Sequence, residues 1–250
     1  MIGQEIDRQN SSEDYSEVSS LDQLTYTNNE CKVRLTENIV MTGAVTVNNG
    51  NRLTIDLNGH TLTAAENSRA FRIQNGALTI EDSGSTGVIQ GSGTVTGNGG
   101  AIWMSSSDSN NALTLTGGTI RGFTATDGGG VYVSGGSFKM TDGTISTCNA
   151  TNAGGGVYVS SGSFEMSGGS IENCTAHEGA GVKVLASSGK ASFSMSGSGE
   201  IKNCNQDGVS IAAIGGTSEF SMSGGTIEDN SGFGVWVAVS YTHLTLPTTP

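Results

Sequence analysis

The sequence predicts an all-β solenoid: a right-handed parallel β-helix with three short strands per coil. The segment Gly-Gly-Gly-Val-Tyr-Val occurs at 128–133 and again at 154–159. The chain holds 39 glycines and 2 prolines, and 34% of its residues are hydrophobic, which is little for a globular core. A solenoid coil buries only a few side chains, because its neighbours cover both of its faces. Repeats recur at intervals of about 26 residues, starting at Gly99, Gly128, Gly154, Gly179, Gly208 and Gly232.

Each repeat contains three strand-like triplets, illustrated by 131–133, 138–140 and 144–146. Apolar and polar residues alternate within them, so the apolar side chains point inward. Parallel strands joined within one coil wind right-handed, and stacked coils lie about 4.8 Å apart. Like residues should therefore form inward columns: one of Phe138, Phe164, Phe193 and Phe220, and one of Met140, Met166, Met195 and Met222.

The composition divides the chain into three parts. Residues 1–30 carry half of the net charge of −12, and residues 1–32 predict an acidic polar tail, linker or N-terminal cap. Residues 33–238 predict the β-helix, with irregular first coils at 33–98 and regular repeats at 99–238. Residues 239–250 break the repeat.

We interpret 239–250 as the in-frame translation of a transposase sequencing adapter, not as native protein. The alternative is a sortase-type wall-anchor signal, because Leu246-Pro247-Thr248-Thr249 resembles the start of Leu-Pro-x-Thr-Gly. Pro250 stands in place of that glycine, and no apolar tail follows. Under the adapter interpretation, the sequence is part of a longer reading frame.

Charge and hydropathy weigh against two classes of partner. A net charge of −12 disfavours nucleic acid and anionic membrane surfaces, which attract clustered Lys and Arg. No stretch approaches the roughly 20 apolar residues of a membrane helix, and the first residues lack a secretory signal pattern. We therefore expect no membrane insertion by these residues, with any export signal and anchor encoded elsewhere.

The run Leu53-Thr54-Ile55-Asp56-Leu57-Asn58-Gly59-His60-Thr61-Leu62, followed by 78–83 and the glycine-rich repeats, resembles bacterial surface proteins with right-handed β-helix repeats. The likeness covers residues 33–237. It implies an adhesin-like protein, secreted or wall-attached, from a gut bacterium, with the fold of pectate lyases and polygalacturonases. A shared fold does not determine function.

The middle residues of the first strands form a predicted outward column: Trp103, Tyr132, Tyr158, Lys183, Ser210 and Trp236. Its aromatic members Trp103, Tyr132, Tyr158 and Trp236 could form a flat ligand-binding platform for sugar rings or another protein. The alternative, which we weigh more heavily, is stacking between coils that only stabilises the sheet.

Three cysteines, Cys148, Cys174 and Cys204, each follow the inward Ile of their repeat by three residues. They should stack as a buried ladder of free thiols, with a single disulfide as the alternative. Two further columns pair charges, Lys139 with Glu165, and Glu172 with Lys202 and Glu228; we take these as structural. No Cys-x-x-Cys spacing is present, so we expect no metal site and no cofactor.

No repeat contains an Asp-Asp pair, and Asn58-Gly59 between Asp56 and His60 indicates a turn. We therefore predict no catalytic residue and a non-catalytic role as a rigid spacer and multivalent surface. Its partners would be glycans or host or bacterial surface proteins, and the protein would be monomeric and extracellular or attached to the cell wall. The alternative is a fragment of a polysaccharide lyase or hydrolase whose catalytic coils lie outside this chain.

Overall fold

The structure is a computed structural model that describes residues 15–22, 24–105 and 111–238. Within these ranges all named strand pairs are parallel and no helix is present. The predicted fold class is confirmed: the chain forms an all-β parallel solenoid of about eight turns. The segments 1–14 and 239–250, including the predicted adapter translation, lie outside the described residues.

The described strands are short, apart from two long ones. The first thirteen are β1 (Ser16–Val18), β2 (Glu30–Leu35), β3 (Ile39–Val40), β4 (Val45–Asp56), β5 (Thr61–Thr63), β6 (Phe71–Glu81), β7 (Val88–Gln90), β8 (Ile102–Met104), β9 (Ala112–Leu115), β10 (Thr119–Arg121), β11 (Thr124–Asp127), β12 (Val131–Val133) and β13 (Ser137–Met140). The others are β14 (Thr144–Ser146), β15 (Asn149–Ala153), β16 (Val157–Val159), β17 (Gly162–Met166), β18 (Ser170–Glu172), β19 (Val182–Ala186), β20 (Lys190–Met195), β21 (Glu200–Lys202), β22 (Val209–Ala213), β23 (Thr217–Met222), β24 (Thr226–Glu228) and β25 (Val235–Ala238).

The strands build three faces. The first face contains β8, β12, β16, β19, β22 and β25, the second β9, β13, β17, β20 and β23, and the third β3, β5, β7, β10, β14, β18, β21 and β24. The long strands β4 and β6 run across the corner and belong to both of the first two faces. One feature was not predicted: at the corner between the third and first faces, β11 and β15 form a two-stranded sheet of their own.

The core consists of columns of like residues. The register pairs Phe138 with Phe164, Phe164 with Phe193, and Phe193 with Phe220. Their ring centroids lie 4.6, 4.7 and 5.3 Å apart in that order. The same register stacks the predicted methionines, Met140, Met166, Met195 and Met222. On β23, the last described strand of the second face, Phe220 is only half-buried and Met222 is exposed, because no described strand covers them.

The corners bring successive coils into very close contact. Gly169 has a φ of +77°, and a Cβ placed there would lie 2.5 Å from the carbonyl oxygen of Gly143 in the preceding coil. A larger residue would therefore be strained in its backbone and would also clash. This is why glycine follows the second-face strands and why the sequence is so rich in it.

The solenoid begins earlier than the predicted boundary at residue 33. That boundary falls inside β2, and β1 pairs with β2, with Ser16 opposite Val33 and Val18 opposite Leu35. Leu21 is buried against the first coils. Residues 15–22 and 24–32 therefore belong to the β-helix and cover its N-terminal core, a pairing that no repeat signals.

Candidate functional site

The outward residues of the first face lie in one line. Strand register places them directly above one another in the order Arg72, Trp103, Tyr132, Tyr158, Lys183, Ser210 and Trp236. We call this set the first-face column. It contains every residue of the predicted aromatic platform and adds Arg72 at one end.

Carboxylates from the corner between the third and first faces lie beside the column. Asp127 ends β11, and Glu178 lies at the same corner two coils further on, since Ala153 pairs with both residues. Both carry charge close to the Tyr158 hydroxyl. Burial, and then the charges of Asp127, Tyr132 and Glu178, raise the pKa of Tyr158, so this phenol stays protonated at all physiological pH values.

The expectation of a flat, exposed aromatic platform needs correction. Tyr158 is 7% exposed, and the rings of Tyr132 and Tyr158 stack on each other at 5.1 Å with 21° between their planes. Coils repeat at about the distance at which aromatic rings stack, so rings in register turn their faces toward each other. These two tyrosines therefore stabilise the sheet through their ring faces. Trp103 remains half-buried and Trp236 is 38% exposed.

Lys183 is buried, contrary to the outward position expected from its triplet. Its ammonium donates hydrogen bonds to Glu178 Oε2 at 2.7 Å and to Ser210 Oγ at 2.9 Å, and it lies 5.6 Å from the Trp236 ring centroid. Its side chain and that of Ser210 are at most 1% exposed. The acidic corner residue and the hydroxyl compensate the cation for its loss of water.

Arg69 is a residue that the sequence reasoning missed, because it lies in a corner and not in a strand triplet. It is 8% exposed, its Nη1 donates to the Asn98 carbonyl at 2.9 Å, and its guanidinium lies 5.9 Å from the Trp103 ring centroid. Burial, and then the charge of Arg72, lower the pKa of Arg69 to about 10. The sequence contains a signal for it: the next four repeats have a glycine or alanine two residues before the first-face strand, at Gly100, Gly129, Gly155 and Ala180.

A family model described as "right handed beta helix region" matches residues 110–246, more than half of the chain. The chain belongs to this right-handed β-helix family. No curated protein and no solved structure matches the sequence. Membership establishes the architecture, and function has to be argued from the residues of the β-helix itself.

The three repeat cysteines of the β-helix form a buried column. Cys148, Cys174 and Cys204 are all free and 0% exposed. Hydrogen bonds with the Cys148 and Cys204 thiols, followed by burial, raise the pKa of Cys174 well above its ordinary value. Asn230 continues the column, since its Oδ1 accepts from the Cys204 amide at 3.0 Å.

The predicted charge columns are in register but make few ion pairs. Lys139 lies opposite Glu165, yet no ion pair joins these two described residues. Lys202 Nζ lies 2.5 Å from Glu200 of its own strand and 4.0 Å from Glu172 of the preceding coil. Exposed pairs of this kind contribute at most about 1 kcal/mol.

Asp56 has a structural role at the corner between the second and third faces. It is 1% exposed, and its carboxylate accepts from Arg34 Nε at 2.7 Å and from the Ser83 hydroxyl at 2.7 Å. Asn58 and Gly59 both have positive φ, which is the turn that the sequence indicated between Asp56 and His60. The Asp56 oxygens are thus fully engaged in holding three successive coils together.

Nowhere in the described ranges do three or more His, Cys, Asp or Glu side chains gather into a group that could hold a metal ion. The same residues include no helix with the length and hydropathy needed to cross a bilayer.

Proposed function

We propose that this β-helix is a non-catalytic, adhesin-like surface protein that serves as a stiff spacer and binds glycans or other proteins along its first face. The observation that carries the proposal is the first-face column, in which the partly or fully exposed members are one cation and three aromatic residues in one line: Arg72, Trp103, Tyr132 and Trp236. Such a line presents several similar contacts along a rigid support. Weak contacts repeated in this way raise avidity without requiring any one tight site.

Stiffness is supported by the core. The phenylalanine rings stack at 4.6 and 4.7 Å through three coils with only 10° and 9° between their planes. Side chains packed at this density resist bending, because any tilt between coils separates rings that are in contact. A rod of this kind keeps its outward residues at fixed spacing.

Binding is supported by hydroxyl, carboxylate and indole groups in and beside the column. Tyr132 and Tyr158 cover one ring face of each other, and the charges of Asp127 and Glu178 lie close to the Tyr158 hydroxyl. Hydroxyls and carboxylates form hydrogen bonds with sugar hydroxyls. Trp103 and Trp236 retain partly exposed rings that can contact the apolar face of a sugar.

The proposed setting is outside the cell or on the cell wall, with the protein acting as a monomer. An antibody raised against residues 111–238 should label intact cells of the source organism. Labelling that requires permeabilised cells would contradict a surface location.

A glycan array tests the binding role. The variant Tyr132→Phe with Tyr158→Phe removes both hydroxyls and keeps both rings stacked, so the fold should survive. We expect the wild type to bind a subset of glycans and the double variant to lose most of that signal. Lys139→Gln, an exposed change on the second face, is the matched control and should bind as the wild type does.

The same preparation distinguishes the alternative of a polysaccharide lyase or hydrolase. Glycans that bind on the array are incubated with the protein, and new reducing ends or unsaturated products are measured. Turnover of any bound glycan would replace the proposal with an enzymatic function. Absence of binding across the array would remove the first face as a glycan-binding surface.

A further inference from the structure

Two arginines lie together at one end of the first-face column without an acidic partner. Arg69 and Arg72 are close enough that the charge of Arg72 lowers the pKa of Arg69, an effect second to that of burial. Among the described residues, no Asp or Glu forms an ion pair with either guanidinium, although the chain carries 23 acidic residues and 11 basic ones. Two like charges held together in an acidic protein indicate a site for an anion.

The corner position beside these arginines carries no acidic side chain. The residue five positions before the column member is Asp127 for Tyr132 and Glu178 for Lys183, but Asn98 for Trp103 and Ala153 for Tyr158. Asn98 offers its backbone carbonyl to Arg69 Nη1 and brings no negative charge. This corner position therefore adds no carboxylate beside Trp103.

Arg69 is also held in place. It is 8% exposed, and its guanidinium is fixed by the Asn98 carbonyl on one side and the Trp103 ring at 5.9 Å on another. Arg72 is exposed and lies in register with Trp103 on the neighbouring strand. One buried and oriented guanidinium beside one accessible guanidinium can bind a planar oxyanion from two sides.

We propose that Arg69, Arg72 and Trp103 form a binding site for the carboxylate of an acidic saccharide. The two guanidiniums would hold the carboxylate, and the half-buried Trp103 ring would contact the attached sugar ring. The site deepens the proposed glycan-binding role and rests on it. The site would give a bound glycan one direction along the column, with its acidic sugar at the Arg72 end.

Isothermal titration calorimetry with a matched pair of probes tests the site. The probes are a tetrasaccharide containing glucuronic acid and the same tetrasaccharide with its carboxylates reduced to alcohols. We expect the wild type to bind the acidic form at least about tenfold more tightly, as for contacts between charged hydrogen-bonding groups. Affinity for the acidic form should fall as salt concentration rises.

Three variants locate the contact. Arg72→Gln should abolish the preference for the acidic probe, and Arg72→Lys should retain part of it, because the charge remains without the planar fork. Arg121→Gln, on the exposed third face, is the matched control and should leave both affinities unchanged. Arg72 is exposed, so its substitution should leave the fold intact. Arg69 is buried, so a further variant, Arg69→Gln, is informative only if its circular dichroism spectrum matches that of the wild type.

Each outcome separates this site from the broader role. Equal binding of the two probes by the wild type, or an unchanged preference in Arg72→Gln, would overturn the arginine site and leave glycan binding through the tyrosine edges intact. Binding of neither probe would also overturn it, and the array would then decide the broader role independently. A preference lost in Arg121→Gln would show that the selectivity is nonspecific attraction to exposed positive charge.

Discussion

Phe164 and Phe193 belong to successive coils, and their rings stack with centroids 4.7 Å apart and 9° between the planes. The same contact recurs one coil earlier between Phe138 and Phe164. Phe164 is thus covered above and below by an identical ring, and the coil spacing itself becomes the stacking distance. Stability, rigidity and the line of outward residues all follow from this register.

Removing one ring from the phenylalanine column should weaken the whole stack. Phe164→Ala is expected to lower the free energy of unfolding by about 3 to 5 kcal/mol, because it deletes a buried ring between two others. Phe164→Leu should cost markedly less, since Leu113 already occupies this column on β9. Urea denaturation followed by circular dichroism measures both. The exposed change Lys139→Ala should stay within about 0.5 kcal/mol of the wild type, and an equal loss there would contradict a specific role of the ring.

The thiols of the cysteine column should react very slowly with thiol reagents in the folded protein. Burial keeps these thiols from the solvent, so Ellman's reagent at pH 8 should react only slowly with the native chain. All four cysteines should react after denaturation. Ser221→Cys, at an exposed position of β23, supplies one fast-reacting thiol as an internal standard. Rapid reaction of several wild-type thiols, or a disulfide detected by mass spectrometry, would refute the ladder of free thiols.

Asp56 should make stability depend on pH in acid. Burial raises the pKa of this carboxyl, but hydrogen bonds from the Ser83 amide, Arg34, the Ser83 hydroxyl and the Asn58 amide outweigh it, and the pKa is lowered overall. A carboxyl with a lowered pKa contributes its full stability above its unfolded pKa of about 3.9 and loses it as pH falls through the folded value.

The variant Asp56→Asn should therefore lose about 1 to 2 kcal/mol near pH 7, and its difference from the wild type should shrink below about pH 4. Urea midpoints measured between pH 2.5 and 7 test this, with the exposed Glu165→Gln as control. A difference that is constant across this range would mean that the Asp56 charge contributes nothing to stability.

The buried ammonium of Lys183 can be tested by a double-mutant cycle with Ser210. Ser210→Ala alone should cost about 1 to 3 kcal/mol, because it removes one of two acceptors of a buried cation. Lys183→Met should also cost about 1 to 3 kcal/mol, because it leaves the buried Ser210 hydroxyl without its partner, whereas the exposed Glu178 remains solvated. In the Lys183→Met background the serine change should cost much less. Additive costs would show that the two side chains do not interact.

The repeat predicted which residues stack on one another but not how deeply each outward-facing side chain is buried. Columns of Phe, Met and Cys could be read from the spacing, because identical residues in parallel coils must lie above one another. Tyr158 and Lys183 alternate with inward valines just as an exposed residue would, yet both are buried. Lys183 contacts Glu178 of the corner and Tyr158 stacks on Tyr132 of the neighbouring coil, and a two-residue period does not encode either contact.

Two other features could not be predicted from the sequence, for different reasons. Strand β1 shares no repeat with the later coils, so its pairing with β2 depends on tertiary packing of Val18 and Leu21. Arg69 lies in a corner, where the alternation of polar and apolar residues does not indicate which way a side chain points. In the sequence it differs only from the small residues at this position in the next four repeats, and the significance of that difference depends on where Asn98 and Trp103 lie.

The central claim is that residues one repeat apart lie directly on top of one another, and nuclear Overhauser effects between phenylalanine rings test it most directly. With 13C-labelled phenylalanine and assignment by Phe→Leu variants, cross-peaks should join the rings of Phe138 and Phe164, and those of Phe164 and Phe193. No cross-peak should join Phe138 and Phe193, which lie two coils or about 9.6 Å apart. A missing cross-peak between either adjacent pair, or a strong one between Phe138 and Phe193, would contradict the stacked β-helix.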